Sequence, residues 1–265
     1  MTSPSSAAGV RLAVLGANGR MGRAVIRLAH GAGMHVVCAI GVGDEGRDAG
    51  ELAGVGPIGT KLATDTSALA GSGAEVLVDF SAPAVLARAA DACAAAGIAL
   101  VSGTTGLGDP AKAALEAASS RCAVLWEPNM SVGVHVLASL VESATAALGP
   151  SFDVEIVEVH HRAKADAPSG TAIRLGDIVK NARAGRYVHG REGRPGPRQP
   201  DEVGVHAVRG GDVVGDHTVF FFGDGERIEL THRASSRDVF AHGALRAAAW
   251  IRGKTAGRYR LGDML

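Results

Sequence analysis

The sequence predicts an α/β chain in two parts: a doubly wound parallel sheet first, then an α+β domain built on a small, mostly antiparallel sheet. Three observations carry this. Short apolar runs alternate with alanine-rich amphipathic helices over the first half of the chain. A glycine-rich turn, Gly16-Ala17-Asn18-Gly19-Arg20-Met21-Gly22, joins the first apolar run to the first helix. After about Asn129 the texture changes to alternating strands broken by Gly-Gly-Asp and Gly-Asp-Gly turns.

Taken in order, Val10 to Gly16 reads as a short buried strand. The helix after it starts near Gly19 or Arg20 and carries Met21, Val25, Leu28 and Ala29 on one face. Met34 to Ile40, Glu75 to Phe80, Ile98 to Ser102 and Cys122 to Trp126 are further strands, with helices at Ala84 to Ala96 and Pro110 to Ser119. A helix over Ser131 to Leu148 leads to a strand, Asp153 to Val159, which ends at a histidine pair. Ala172, Leu175, Gly176, Val179 and Ala182 share one face of the next helix. The Arg/Gly/Pro stretch Ala184 to Pro200 has no apolar period and reads as a loop. Val203 to Val208, Val213 to Phe222 and Arg227 to Thr231 read as antiparallel strands, and Val239 to Ile251 as the last helix.

These textures divide the chain into a dinucleotide-binding domain over 1–129, a substrate-binding and oligomerisation domain over 130–238, and a segment, 239–265, that packs back on the first domain. One or two helices cannot cover both faces of the second sheet, so its other face is expected to meet a second subunit.

Composition excludes several classes. Of 265 residues, 46% are apolar, ample for a core, and 27 basic residues balance 27 acidic ones. Balance argues against general nucleic-acid binding, which needs a basic excess. Cys38, Cys93 and Cys122 are far apart in aliphatic runs, so they read as buried thiols, with neither a disulfide framework nor a zinc pattern. Met1 to Gly9 is Ser/Ala-rich and reads as a disordered tail, not a signal peptide. No apolar run is expected to reach the length of a membrane span, which makes the protein cytoplasmic.

The glycine turn has the spacing G-x-x-G-x-x-G between strand and helix. Small residues there let the backbone approach a pyrophosphate at a helix N-terminus, the Rossmann-like use of such a turn. Two other segments follow strands, at the edge where open α/β sheets bind ligands: Gly103-Thr104-Thr105-Gly106 and Glu127-Pro128-Asn129-Met130. The second serves equally well as a hinge. Asp44, Glu45 and Arg47 follow the second strand and are candidates for the adenosine ribose, or a solvated loop.

The densest chemistry lies in Glu158-Val159-His160-His161-Arg162-Ala163-Lys164-Ala165-Asp166-Ala167-Pro168-Ser169-Gly170-Thr171-Ala172. Two imidazoles and an ammonium repel one another when charged, so a fold keeps them together where protons move or an anion binds. If the strand continues, alternation sends His160 and His161 to opposite sides, one toward a cofactor and one toward a substrate. Imidazole suits a general acid. Lys164 can bind a carboxylate or supply a proton, or pair with Asp166 at the surface. Ser169 is placed to cap a helix beginning near Thr171, leaving the N–H groups of Gly170 and Thr171 for a carboxylate. Adjacent histidines with no i, i+4 partner do not make a metal site, and none is expected.

On these residues the chain resembles a known family. Gly16-x-x-Gly-Arg-Met-Gly22, Gly103 to Gly106, Asn129-Met130-Ser131-Val132-Gly133-Val134, Glu158 to Ala172, Gly215-Asp216-His217-Thr218 and Thr231 to Arg237 resemble, in order, the 4-hydroxy-tetrahydrodipicolinate (dihydrodipicolinate) reductases of bacterial lysine biosynthesis. The H-H-x-x-K-x-D-A-P-S-G-T run is specific to that family; the glycine turn is not. The resemblance implies NADH- or NADPH-dependent reduction of a small cyclic dicarboxylate. It implies His160 and Lys164 as proton-transfer residues, and His161, Gly170 and Thr171 as substrate contacts. It places Gly16, Ala17, Asn18, Gly19, Arg20, Met21, Gly103, Thr104, Thr105, Glu127, Pro128, Asn129 and Met130 along the cofactor, and implies a homotetramer. Val42 and Gly43 stand where the family often carries an acidic residue or an arginine, so the resemblance leaves NADH against NADPH open. The competing readings are another two-domain amino- or keto-acid dehydrogenase, which needs no such run, and a non-catalytic NAD(P) sensor, which could lose the His/Lys cluster.

Overall fold

The computed structural model describes residues 8–265. The expected N-terminal tail falls mostly on residues 1–7, outside the described residues. In chain order the elements are β1 (Arg11–Leu15), α1 (Arg20–Gly31), β2 (His35–Ile40), α2 (Ala49–Ala53), β3 (Leu62–Ala63), β4 (Val76–Asp79), α3 (Pro83–Ala96), β5 (Ala99–Ser102), α4 (Asp109–Ser119) and β6 (Ala123–Trp126). There follow α5 (Val132–Leu148), β7 (Asp153–His160), α6 (Gly170–Arg183), β8 (Arg186–His189), β9 (Glu202–Arg209), β10 (Gly215–Gly223), β11 (Glu226–Ala234), α7 (Asp238–Ile251) and β12 (Gly257–Tyr259). The chain divides into two compact units, residues up to 131 with 238–265, and residues 132–237.

The first unit holds a parallel sheet of order β12-β6-β5-β4-β1-β2-β3. Its inner strands are mostly apolar because both faces are covered. Leu12 and Val14 join the layer of α1 and α7, while Ala13 and Leu15 join the layer of α3 and α4. Burying each such Val or Leu contributes about 1.5–3 kcal/mol, which offsets the entropy of ordering the strand. Gly243 lets α7 cross closely: a Cβ there would lie 1.8 Å from the Met130 carbonyl oxygen. The strand order reverses between β1 and β4, which opens a crevice at the carboxyl edge. Helix α2 and strands β3 and β12 were not expected from the sequence. The two strands have two and three residues and exist by pairing on β2 and β6. All three cysteines are buried, and desolvation pushes their thiols up, so they stay protonated.

The second unit holds a five-stranded sheet of order β11-β10-β7-β9-β8. It is mixed, not mostly antiparallel: β10 runs antiparallel to β7 and β11, but β7, β9 and β8 are mutually parallel. The reason is the α6 crossover, which returns the chain in the direction of β7. The expected pairing of Val203–Val208 with Val213–Phe222 does not form, because β7 lies between β9 and β10. Helices α5 and α6 cover one face, with Leu137, Val141, Leu175 and Val179 against Val154, Ile156, Val205 and Phe221.

The 184–200 stretch is not a featureless loop. It contains β8, and its later part is strapped to β7: Arg191 donates to both Glu155 carboxylate oxygens at 2.9 and 2.8 Å, and Arg198 to Asp153 at 2.6 Å and Glu155 at 3.2 Å. Burial pushes the Glu155 carboxyl up, but the bonds from Arg191, His206 and Arg198 outweigh it and bring it to about 2.

One further expectation is corrected. Val132–Ser151 is 20 residues with a mean hydropathy of 1.4, long and apolar enough to span a membrane on those two counts. Core helices pass the same test, and here Leu137, Ala138 and Val141 sit in the sheet core while Val136 and Leu140 stay exposed.

Candidate active site

In the first unit the sequence-nominated loops all leave the carboxyl edge of the sheet. Gly16 has φ +77°, and a Cβ on it would lie 2.6 Å from the Phe80 carbonyl oxygen. On Gly22 a Cβ would lie 2.1 Å from the Gly16 oxygen, so α1 sits against the turn only with glycine there. Gly19 caps α1 without a side-chain bond, and no acid stands in the first turn, which leaves a positive helix end facing the turn. This cradle fits a dinucleotide pyrophosphate. Arg20 is exposed beside it and Met21 half-buried.

Two nominated residues play other parts. Ala17 is buried and donates its N–H to the Ile40 oxygen at 2.9 Å. Asn18 turns toward the next loop, donating to the Val42 oxygen at 2.7 Å and to Asp44 at 3.3 Å. Asp44 also accepts from Arg47 at 2.9 Å, and Asn18 then Arg47 hold its carboxyl below the usual range. The acid and the base nominated for the ribose are thus paired with each other, while Val42 is exposed.

Between the nominated loops stands a residue that sequence reasoning missed. Asp79, fully buried at the end of β4, accepts from Ser102 Oγ at 2.6 Å, Thr104 Oγ1 at 2.7 Å, and both the N–H and the hydroxyl of Ser81. Burial pushes its pKa up against the pull of these donors. The hub ties the loop after β4 to the loop after β5. Thr104 is buried and accepts from Trp126 Nε1 through its carbonyl at 2.8 Å; Thr105 is exposed. A Cβ on Gly103 would strike the Phe80 ring at 2.2 Å. Glu127 N donates to the Ser102 oxygen at 3.1 Å, Pro128 is exposed, and Asn129 Oδ1 accepts from Ser131 N at 2.9 Å. Met130 lies in the hydrophobic core.

In the second unit β7 ends at His160, and the chain then turns. His160 stays on the buried face with Glu158, two residues earlier, as strand alternation requires. His161 leaves the strand, donates its N–H to the Val213 oxygen at 2.7 Å, and brings Nε2 to 3.5 Å from Arg237. His160 Nδ1 lies 2.6 Å from Glu158 Oε2. Arg209 grips the same carboxylate with both terminal nitrogens, at 2.7 and 2.8 Å, and Ser169 N–H donates to it at 3.0 Å. Burial pushes the Glu158 carboxyl up, but Arg209, His160 and Ser169 together hold it below its usual range.

Ser169 caps α6 as expected, accepting from Ala172 N at 3.2 Å, and the helix begins at Gly170. The Ala167–Pro168 bond before it is cis. Gly170 is exposed and Thr171 half-buried at the positive end of a 14-residue helix. Lys164 is paired with Asp166 at 2.7 and 2.9 Å, the surface pair that the sequence also allowed. His217, also missed, packs edge-on to His160 at 5.2 Å, with its Nε2 3.1 Å from Ser169 Oγ. Burial, then the neighbouring His160, push its pKa down to about 4, so it is neutral. Among the described residues no group of three or more His, Cys, Asp or Glu is arranged to hold a metal ion.

The sequence carried faint signals for the missed residues. Asp79 is the acid at the carboxyl end of the run EVLVDF, and Glu158 heads the histidine run. Arg209 lies 51 residues from Glu158, and only the β7/β9 register, which sets His160 opposite Arg209, brings it there.

A doubly wound unit with a glycine cradle, and a second unit with a buried His/Glu/Arg cluster at a helix N-terminus, define a dinucleotide-dependent oxidoreductase. The chain belongs to the dihydrodipicolinate reductase family: the family models "Dihydrodipicolinate reductase, N-terminus" and "Dihydrodipicolinate reductase, C-terminus" match residues 10–130 and 133–265. It is 49% identical over 264 residues to the 4-hydroxy-tetrahydrodipicolinate reductase of Anaeromyxobacter sp. (strain Fw109-5), covering 97% of both chains. It is also 49% identical over 263 residues to that of Halorhodospira halophila, covering 96% of this chain and 98% of the other. Among solved structures its fold is similar to the dipicolinate-bound dihydrodipicolinate reductase of Paenisporosarcina sp. TG-14, with TM-score 0.76, 22% identity, and coverage of 97% of this chain and 100% of that one.

Proposed function

We infer that the chain reduces 4-hydroxy-tetrahydrodipicolinate to tetrahydrodipicolinate with NADH or NADPH, a step of diaminopimelate and lysine biosynthesis. The observation that carries this is near-half identity to reductases of that name over nearly the whole chain. We assign cofactor binding to the unit of residues up to 131 with 238–265, and substrate binding to residues 132–237. When bound, the cofactor supplies a hydride. In the net reaction the hydride and one proton enter, and the hydroxyl leaves as water.

The proton is this chain's task. His160 Nδ1 is engaged by Glu158, which leaves Nε2 to exchange a proton. Gly215 keeps room there, since a Cβ on it would lie 2.9 Å from Nε2. Lys164 is the second proton-transfer residue, and a substrate carboxylate competes with Asp166 for its ammonium. His161, with Gly170 and Thr171 at the α6 N-terminus, holds the dicarboxylate. Gly16, Ala17, Asn18, Gly19, Arg20 and Met21, with Gly103 to Thr105 and Glu127 to Met130, form the cofactor loops. For Asn18 and Met130 that role is through the backbone, because their side chains are committed elsewhere.

The assay follows NAD(P)H absorbance with substrate formed in situ from pyruvate and aspartate semialdehyde. Oxidation dependent on both precursors is expected; none, in folded protein that binds the cofactor, would overturn the reading. We further propose a cytoplasmic homotetramer. The sheet face of the second unit opposite α5 and α6 carries stacked Phe220 and Phe222, with Phe222 exposed, which supports a subunit contact there. Light scattering should give four times 26.8 kDa; a monomer would refute it.

A further inference from the structure

The face of β7 that carries Val154 and Ile156 into the core also carries Glu158, a carboxylate with no exposed side-chain surface. A charge there is costly unless it is paired and its lone pairs are filled. Here four donors fill them. Arg209 takes both oxygens, His160 Nδ1 shares Oε2, and Ser169 N–H shares Oε1. Arg209 in turn donates to the Asp166 carbonyl oxygen at 2.7 Å. One ion pair thus joins three segments: the end of β7, the loop carrying Lys164, and the N-cap of α6.

The chemistry of the pair has a consequence for His160. An ionised carboxylate can only accept, so the proton of the neutral ring must sit on Nδ1. Nε2 is then the one nitrogen that can take up or release a proton. The other ionisable groups around the ring are neutral His217 from β10, Arg209 from β9, and His161 and Lys164 from the loop after β7; none of these offers Nδ1 an anion.

Resting on the reaction proposed above, we propose that Glu158, clamped by Arg209, is a positioning residue that locks His160 in the Nδ1–H tautomer and presents Nε2 for proton transfer. Arg209 keeps the carboxylate ionised and turned to the imidazole. Neither residue need touch substrate.

The test uses the full chain. In Glu158→Gln, Arg209 claims the amide oxygen and the amide NH₂ confronts Nδ1, which should reverse the ring to Nε2–H. A second variant, Glu158→Met with Arg209→Met, removes the buried carboxylate together with its half-buried partner charge; such replacements are often neutral for stability, so it carries the test if the single variant does not fold. Both should lower kcat on the order of 10²-fold, as for a misplaced proton donor, with KM for NADH within about twofold. Nitrogen-15 NMR of the imidazoles, with His160 assigned by its loss in His160→Gln, should show one Nδ1–H tautomer in the wild type and its loss in both variants. The pH profile of kcat/KM should move in the same variants. A folded double variant with near-normal kcat would overturn the proposal, and so would a His160 that keeps its tautomer. A wild type with no turnover would instead refute the reaction, and the NMR result would still decide the tautomer.

Discussion

Asp79 and Glu158 are both carboxylates buried at the ends of strands, yet their surroundings drive them in opposite directions. Asp79 is surrounded by neutral donors, three hydroxyls and an N–H, and burial wins: its pKa is raised. Glu158 is gripped by a guanidinium and an imidazole as well as an N–H, and there the donors win. The difference separates two kinds of work. The first hub organises loops by geometry and has little use for charge. The second holds a charge in place beside His160, the imidazole proposed to move protons.

The largest effect that probes this contrast is on the charged side. Lys164→Ala should lower kcat on the order of 10²-fold, while Thr171→Val should mainly raise KM for the substrate, since it alters a ground-state contact. Steady-state kinetics read both, and a Lys164→Ala enzyme with unchanged kcat would remove Lys164 from the proton path.

On the neutral side, Asp79→Asn puts an amide NH₂ among donors. KM for NADH should rise about tenfold with a smaller change in kcat, because the loops after β4 and β5 lose their common acceptor. Its pH dependence sharpens the contrast. A carboxyl with a raised folded pKa contributes stability at low pH that is lost as pH rises through that pKa. The Tm deficit of Asp79→Asn should therefore shrink as pH rises, and a deficit that grows would show Asp79 to be a stabilising anion.

Glu155 behaves as Glu158 does, with arginines as donors, but it fastens the strap of residues 190–200 and not the His160 ring. Its folded pKa of about 2 lies below the ordinary value of 4.5. The stability it gives is present above 4.5 and lost as pH falls toward 2. In Glu155→Gln that acid-side loss should flatten, with Tm at neutral pH lower by roughly 2–8 °C for a loss of about 1–2 kcal/mol. Thermal melts across pH would show it, and an unchanged acid limb would count against the strap.

How much of this was legible in the sequence follows the same divide. Where local pattern decides, reading succeeded: EVLVDF as a buried strand, the glycine turn before α1, and Ser169 as the cap of α6. Where partners come from far along the chain, it failed. β3, β8 and β12 are short and form on neighbouring strands, and the parallel β7/β9 pairing is invisible to alternation. Both hubs were missed for that reason. Asp79 meets Ser102 and Thr104 more than twenty residues away, and Glu158 meets Arg209 across the sheet. His160, His161 and Lys164 were nominated because they crowd one short run.

The smallest effect concerns the cofactor's ribose. Val42 and Gly43 offer neither an anion for a ribose hydroxyl nor a cation for a phosphate, and Asp44 is already paired with Arg47. Opposed weak contacts of roughly 1 kcal/mol leave the ratio of kcat/KM for NADH and NADPH within about tenfold. A ratio far beyond a hundredfold would reveal a specific contact in this loop.

The central claim is that a carboxylate-held imidazole supplies the proton in a metal-independent, nicotinamide-dependent reduction. Its most direct test compares wild type with His160→Gln in the coupled assay, with a chelator present and NADH binding followed by fluorescence. The wild type should turn over undiminished, and the variant should bind NADH equally well with kcat lower by 10²-fold or more. Near-normal kcat in the variant, or wild-type activity lost to the chelator and restored by zinc, would contradict the account.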